Sequence, residues 1–147
     1  MASTPPDWFH EIDHTGDVGI RVTASTLPQL FERAALGMFY VLTDPAEVRP
    51  QDSFQVTVDG RDRNALMVHW LSELNYRHTV DRHLYCAFEV EAIETTDNGT
   101  HLTATVRGEP IVPDRHVVYT EIKAITFHGL DARETDAGWA VQVIFDM

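Results

Sequence analysis

The sequence predicts an α+β domain with two layers, a largely antiparallel mixed sheet carrying two helices packed on one face. Three observations support this. Two segments have apolar residues spaced by three and four, several others alternate by two, and the alternating segments follow one another through hairpin-like turns. Parallel βαβ winding would need more helices between strands than the pattern provides.

Phe9 to His14 and Val18 to Ala24 read as strands joined by the polar turn Thr15-Gly16-Asp17. In Thr26-Leu27-Pro28-Gln29 a capping hydroxyl stands three residues before a glutamine, and Pro28 falls in a first helical turn, where a missing N–H costs nothing. Leu27, Leu30, Phe31, Ala34, Ala35, Met38, Val41 and Leu42 then form one broad apolar helix face, ended by Asp44-Pro45. Phe54, Val56 and Val58 alternate into the turn Asp59-Gly60. Asp62 is placed to cap a second helix, whose stripe of Leu66, Met67, Trp70, Leu71 and Leu74 runs to about His78. Residues 84–93 and 100–107 make a hairpin around Asn98-Gly99, a pair that supplies the positive φ of a tight turn. Pro110 and Pro113 interrupt residues 108–113, residues 119–128 read as a further strand, and residues 140–146 as the last.

A chain of 147 residues is the size of a single domain, here residues 8–147 behind a short flexible N-terminal arm, residues 1–7. Eleven basic residues against 23 acidic ones give a net charge of −12, which argues against unaided nucleic-acid binding and against docking on anionic membranes. A single cysteine, Cys86, rules out an internal disulfide and a cysteine-built zinc site. No apolar run is long enough to span a bilayer and the N-terminus has no export-signal pattern, so a cytoplasmic protein is expected. The signatures of dinucleotide-binding folds, phosphate-loop ATPases, elbow hydrolases and zincins are missing.

Three places can carry chemistry. In Ile12-Asp13-His14-Thr15-Gly16-Asp17-Val18-Gly19, two carboxylates four residues apart flank a sharp turn and can share a hard cation; equally, Asp13 and Thr15 can satisfy turn N–H groups while His14 donates to a carbonyl. At the C-terminus, Asp146 and the carboxylate of Met147 repel one another unless a cation such as Ca²⁺ or Mg²⁺ neutralises them, or unless the end is frayed and solvated. Against fraying, Phe145 continues the alternation of Trp139, Val141 and Val143. Lys123 alternates in phase with Ile125 and Phe127, so it calls for an anionic partner or sits as an edge-strand gatekeeper. His69, His78 and Cys86 read as exposed or structural.

Four blocks in order resemble the archease family: Asp13-His14-Thr15-Gly16-Asp17-Val18-Gly19, the helix from Leu30 to Met38, the helix from Leu66 to Leu74, and Lys123-Ala124-Ile125-Thr126-Phe127-His128 with the closing Val143-Ile144-Phe145-Asp146-Met147. The resemblance implies a small α+β accessory protein, not itself an enzyme, that activates an RtcB-type RNA ligase. That ligase joins RNA ends bearing 2′,3′-cyclic phosphate or 3′-phosphate to 5′-hydroxyl ends in tRNA splicing or RNA repair. It implies that the accessory protein promotes guanylylation of the ligase and so multiple turnover, with GTP and metal used by the ligase and RNA met only through it. It further implies a divalent-metal site (Ca²⁺ or Mg²⁺) at Asp17, Asp146 and Met147, an activating role for Lys123, and supporting roles for Asp13 and His14. Gly16, Phe127 and Met147 depart from the commoner family residues Ala, Tyr and Ile or Leu, and none of these departures removes a charged ligand. Two rival readings remain: a stand-alone metal-dependent phosphoesterase or nuclease using His14 or His128 as base, and a chaperone-like binding module with a structural ion. The pattern leaves oligomeric state open.

Overall fold

The computed structural model describes residues 4–14 and 16–147, and of His14 the backbone. Residues 1–3 of the expected arm and Thr15 of the expected turn therefore lie outside the described residues. The elements in order are β1 (Phe9–His14), β2 (Asp17–Ala24), α1 (Leu27–Leu42), a 3-10 turn (Pro45–Glu47), β3 (Asp52–Gly60), α2 (Arg63–Thr79), β4 (His83–Thr96), β5 (Gly99–Pro110), β6 (Ala124–Ile125), β7 (Arg133–Thr135) and β8 (Gly138–Asp146).

Both helices begin where their caps dictate. The Gln29 N–H donates to Thr26 Oγ1 at 3.2 Å, and the Gln29 side chain accepts from the Ser25 N–H at 2.8 Å. The Ala65 N–H donates to Asp62 Oδ1 at 2.8 Å, which closes the first turn of α2. Leu30, Phe31, Ala34 and Met38 of α1 are fully buried, as are Leu66, Trp70, Leu71 and Leu74 of α2. The Trp70 indole N–H still finds a partner, the Phe31 carbonyl of α1 at 2.9 Å, which ties the two helices together.

The α+β class stands, with one refinement: the strands divide between two sheets, and every pairing is antiparallel. One sheet has the order β1-β2-β8-β6, with β7 also on β8; the other has the order β3-β5-β4. The helices bridge them, α1 on β2 and β4, and α2 on β3 and β6. The Thr96↔Gly99 pair closes the β4–β5 hairpin as expected, with the positive φ, 121°, on Gly99. No helix among the described residues is long and apolar enough to cross a membrane.

Two sequence expectations need correction. Of the strand expected over residues 119–128 only β6 forms. The buried residues there are Ile122 and Ile125, three apart, so the segment does not alternate, and Lys123 and Phe127 are exposed rather than in an apolar phase. Its backbone is spent on neighbours instead: the Tyr119 N–H donates to Leu42 O at 2.8 Å, and Val118 bridges Thr43. The second correction is that β5 runs on to Pro110, where a missing N–H ends the ladder rather than interrupting it. Strand β7 has no apolar alternation to announce it, since Arg133, Glu134 and Thr135 are all exposed.

Candidate metal and activation site

The second and last strands lie side by side. β2 lies antiparallel to β8 with Val18 opposite Phe145 and Gly19 opposite Ile144. The pairing ends at Val18 and Phe145, and Asp17 and Asp146 are the next residues on their strands. Paired residues share a sheet face, so both carboxylates leave on the side opposite the fully buried Phe145. Gly19 permits the close approach: a Cβ there would lie 2.7 Å from the Ile144 Cδ1 and 3.3 Å from the Val143 carbonyl oxygen. On the other side of β2, His14 pairs with Asp17 and Asp13 with Val18, which alternates Asp13 to the face opposite Asp17. The His14 side chain lies outside the described residues. Met147 is half-buried against the core, so the end of β8 is packed.

Lys123 reaches the same place from the opposite flank of β8. Its N–H donates to the Asp146 carbonyl at 2.8 Å, and the next residue, Ala124, pairs with Asp146. The peptide unit joining Ile122 to Lys123 is held from both sides, because the Ile122 carbonyl accepts from Asn75 Nδ2 of α2 at 2.8 Å. Asn75 is buried and its Oδ1 accepts no hydrogen bond. A buried orphan acceptor costs about 1–3 kcal/mol, a cost borne here in fixing the Lys123 backbone against the end of β8. Nothing in the local sequence announces Asn75, whose partner is 47 residues away. We expect Asn75→Ala to change stability by no more than about 1 kcal/mol, because the orphan it creates at the Ile122 carbonyl is offset by the orphan Oδ1 it removes; urea unfolding measures it.

Among the described residues no three His, Cys, Asp or Glu side chains gather into one metal site. The carboxylates of Asp17 and Asp146 carry oxygen donors of the kind a hard cation such as Ca²⁺ or Mg²⁺ takes.

The remaining candidates resolve into structure. His78 is buried, and burial pushes its imidazole below the usual range while its Nδ1 lies 3.0 Å from the His83 carbonyl. His69 is exposed, with Nδ1 2.6 Å from the Asp59 carbonyl. Cys86 is half-buried at a β-bulge, and burial, then Glu109, pushes its thiol up, away from reactivity. A cluster that the pattern did not reveal lies around buried Glu109. Its carboxylate accepts from both guanidinium nitrogens of Arg115, from the Arg49 N–H at 2.6 Å and from the His116 ring at 3.0 Å. Because His116 Nδ1 accepts from the Val112 N–H at 2.8 Å, the ring proton sits on Nε2 and points at Glu109.

Fold and site together define a class: small α+β proteins of two helices and antiparallel sheets whose last strand, paired between the second strand and a lysine-bearing segment, ends beside an acidic turn. The Archease protein family model matches residues 9–147. The chain is 34% identical over 139 residues to the protein archease of Methanopyrus kandleri, covering 95% of this chain and 99% of that one. It is 36% identical over 141 residues to the protein archease of Thermococcus kodakarensis, covering 95% and 98%. The solution structure of Methanobacterium thermoautotrophicum protein 1598 superposes with a TM-score of 0.80 at 34% identity, over 95% of this chain and 99% of that one. The chain belongs to the archease family.

Proposed function

We propose that the protein is an accessory activator of an RtcB-type RNA ligase, acting from the end of the sheet where Asp17, Asp146, Met147 and Lys123 converge. The observation that supports this reading is the β2–β8 register, whose last pair, Val18 and Phe145, immediately adjoins Asp17 and Asp146, with the Lys123 N–H bonded to the Asp146 carbonyl. Asp17, Asp146 and the terminal carboxylate of Met147 would hold a divalent cation, and His14, paired with Asp17, would support it from β1, whereas Asp13 on the other sheet face would contribute only through the strand it belongs to. Such a cation supplies positive charge toward phosphate oxygens, as in the nucleotide site of a partner. Lys123 adds a second positive charge on a fixed backbone, and its contribution is electrostatic rather than packing, since its side chain is exposed. The net charge of −12 speeds encounter with a basic partner surface. GTP and the ligation chemistry belong to the ligase, RNA is met only through it, and the setting is cytoplasmic.

The test adds purified protein to substoichiometric ligase and counts ligation turnovers. Activation supports the reading; hydrolysis of RNA or nucleotides without ligase would replace it with a stand-alone hydrolase. One variant pair separates the terminal carboxylate from the side chain that precedes it. Met147→Leu is expected to activate like the wild type, whereas residues fused after Met147 are expected to depress turnover about tenfold or more, because they convert a ligand carboxylate into a peptide carbonyl.

A further inference from the structure

Lys123 reaches the end of β8 on a stretch of chain that packing does not hold. Between buried His116 and buried Ile122 no side chain is buried, and Val117 (60% exposed), Val118 (41%) and Tyr119 (51%) stand in solvent. Beyond Ile122, a cleft of about 300 Å³ is lined by Ser72, Tyr76 and Thr79 of α2 together with Lys123 and Ala124, so helix and segment are not close-packed there. Ordering the five residues 117–121, with no buried side chain to offset the lost backbone entropy, needs another source of order.

Hydrogen bonds supply that order at three places. The His116 ring is fixed on Glu109 at 3.0 Å, which sets where the segment starts. At the end of α1 the Thr43 hydroxyl donates to the Val117 carbonyl at 2.6 Å, Val118 bridges Thr43, and the Tyr119 N–H donates to the Leu42 carbonyl at 2.8 Å. Asn75 of α2 donates to the Ile122 carbonyl at 2.8 Å, and among the described residues no other hydrogen bond joins α2 to residues 117–125. The next N–H, that of Lys123, donates to the Asp146 carbonyl at 2.8 Å, so the Ile122–Lys123 peptide plane is bonded at both edges and held against rotation. The Cα–Cβ bond of Lys123 therefore leaves in one direction although its side chain is exposed. Stability is a poor account of Asn75, because the bond it makes through Nδ2 is offset by a buried Oδ1 that accepts none.

We propose that Thr43 and Asn75 are positioning residues for Lys123, which orient the backbone that carries its ammonium group to the end of the sheet. This rests on the accessory reading above, in which a charge placed in advance acts on a partner's phosphates. The test uses the double variant Thr43→Val/Asn75→Leu, which keeps the bulk of both side chains and removes both donors. The full chain is titrated into a fixed amount of RtcB-type ligase, with circular dichroism and urea unfolding on each variant and the exchange of the Lys123 amide followed by NMR. A partly unfolded activator is rescued by adding more of it, whereas a displaced charge is not, so the maximal stimulation is the deciding quantity. The double variant is expected to lose about fivefold or more of that maximum, with the half-maximal concentration within about twofold of the wild type and the Lys123 amide exchanging about tenfold faster. Ser72→Ala, on the same cleft, should match the wild type in all three. Should the double variant unfold, Asn75→Leu alone is read by the same measures. A full maximum, a loss that more protein restores, or unchanged exchange at Lys123 would overturn the positioning role and leave the accessory reading in place. A wild-type protein that stimulates the ligase at no concentration would overturn the accessory reading itself, and the positioning role with it.

Discussion

Glu109→Ala is expected to lower stability by about 3 kcal/mol, a large fraction of the roughly 5–15 kcal/mol of a domain this size. Removing the carboxylate leaves the buried His116 ring and the Arg49 N–H without an acceptor, and strands the Arg115 guanidinium. The figure sits at the low end for breaking a buried pair because Arg115 keeps access to water. The same cluster sets a pH dependence. Hydrogen bonding from Arg115, opposed by burial and reinforced by the Arg49 N–H and His116, lowers the Glu109 carboxyl from 4.5 to about 2. A carboxyl held down in the folded state favours folding above its unfolded pKa. That contribution is complete above about pH 4.5 and is lost as pH falls toward 2. Urea unfolding at intervals from pH 7 down to 2.5 should show a steeper acid loss in the wild type than in Glu109→Gln. Parallel curves would mean that the cluster carries no such linkage.

Asp17→Ala, Asp146→Ala and Lys123→Ala should each depress ligase turnover about tenfold or more while far-UV circular dichroism and unfolding midpoints stay close to those of the wild type. Asp146 and Lys123 are exposed and Asp17 is half-buried, so none of the three fills the core. The double variant Asp17→Ala/Asp146→Ala is expected to be little worse than either single one, since two ligands of one ion fail together. Additive losses would mean two independent roles. Full activity in all three single variants would remove the site altogether.

Local chemistry announced the helices, and they formed where it put them, because Thr26 and Asp62 cap within three residues of their partners and the apolar stripes repeat over about four turns in α1 and more than two in α2. The β4–β5 hairpin was legible for the same reason: Asn98-Gly99 acts within four residues. What could not be read was set by distant partners. Residues 111–123 take their shape from Leu42, Thr43 and Asn75, and the Glu109 cluster joins residues as far apart as 49 and 109. Nor does any local pattern pair β2 with β8. That Asp17 would share a site with the C-terminal strand is implied by family resemblance alone; the register pairs the neighbouring Val18 with Phe145. Asp13 shows the limit of local reasoning: four residues from Asp17 in a tight hairpin, it alternates to the other face.

The central claim is that oxygens from both ends of the chain share one divalent ion, and calorimetric titration of Ca²⁺ and of Mg²⁺ into the protein alone tests it most directly. One site is expected in the wild type, weakened about tenfold or more by Asp17→Ala and by Asp146→Ala alike. Absence of binding to the wild type, or binding that survives both substitutions, would contradict the account.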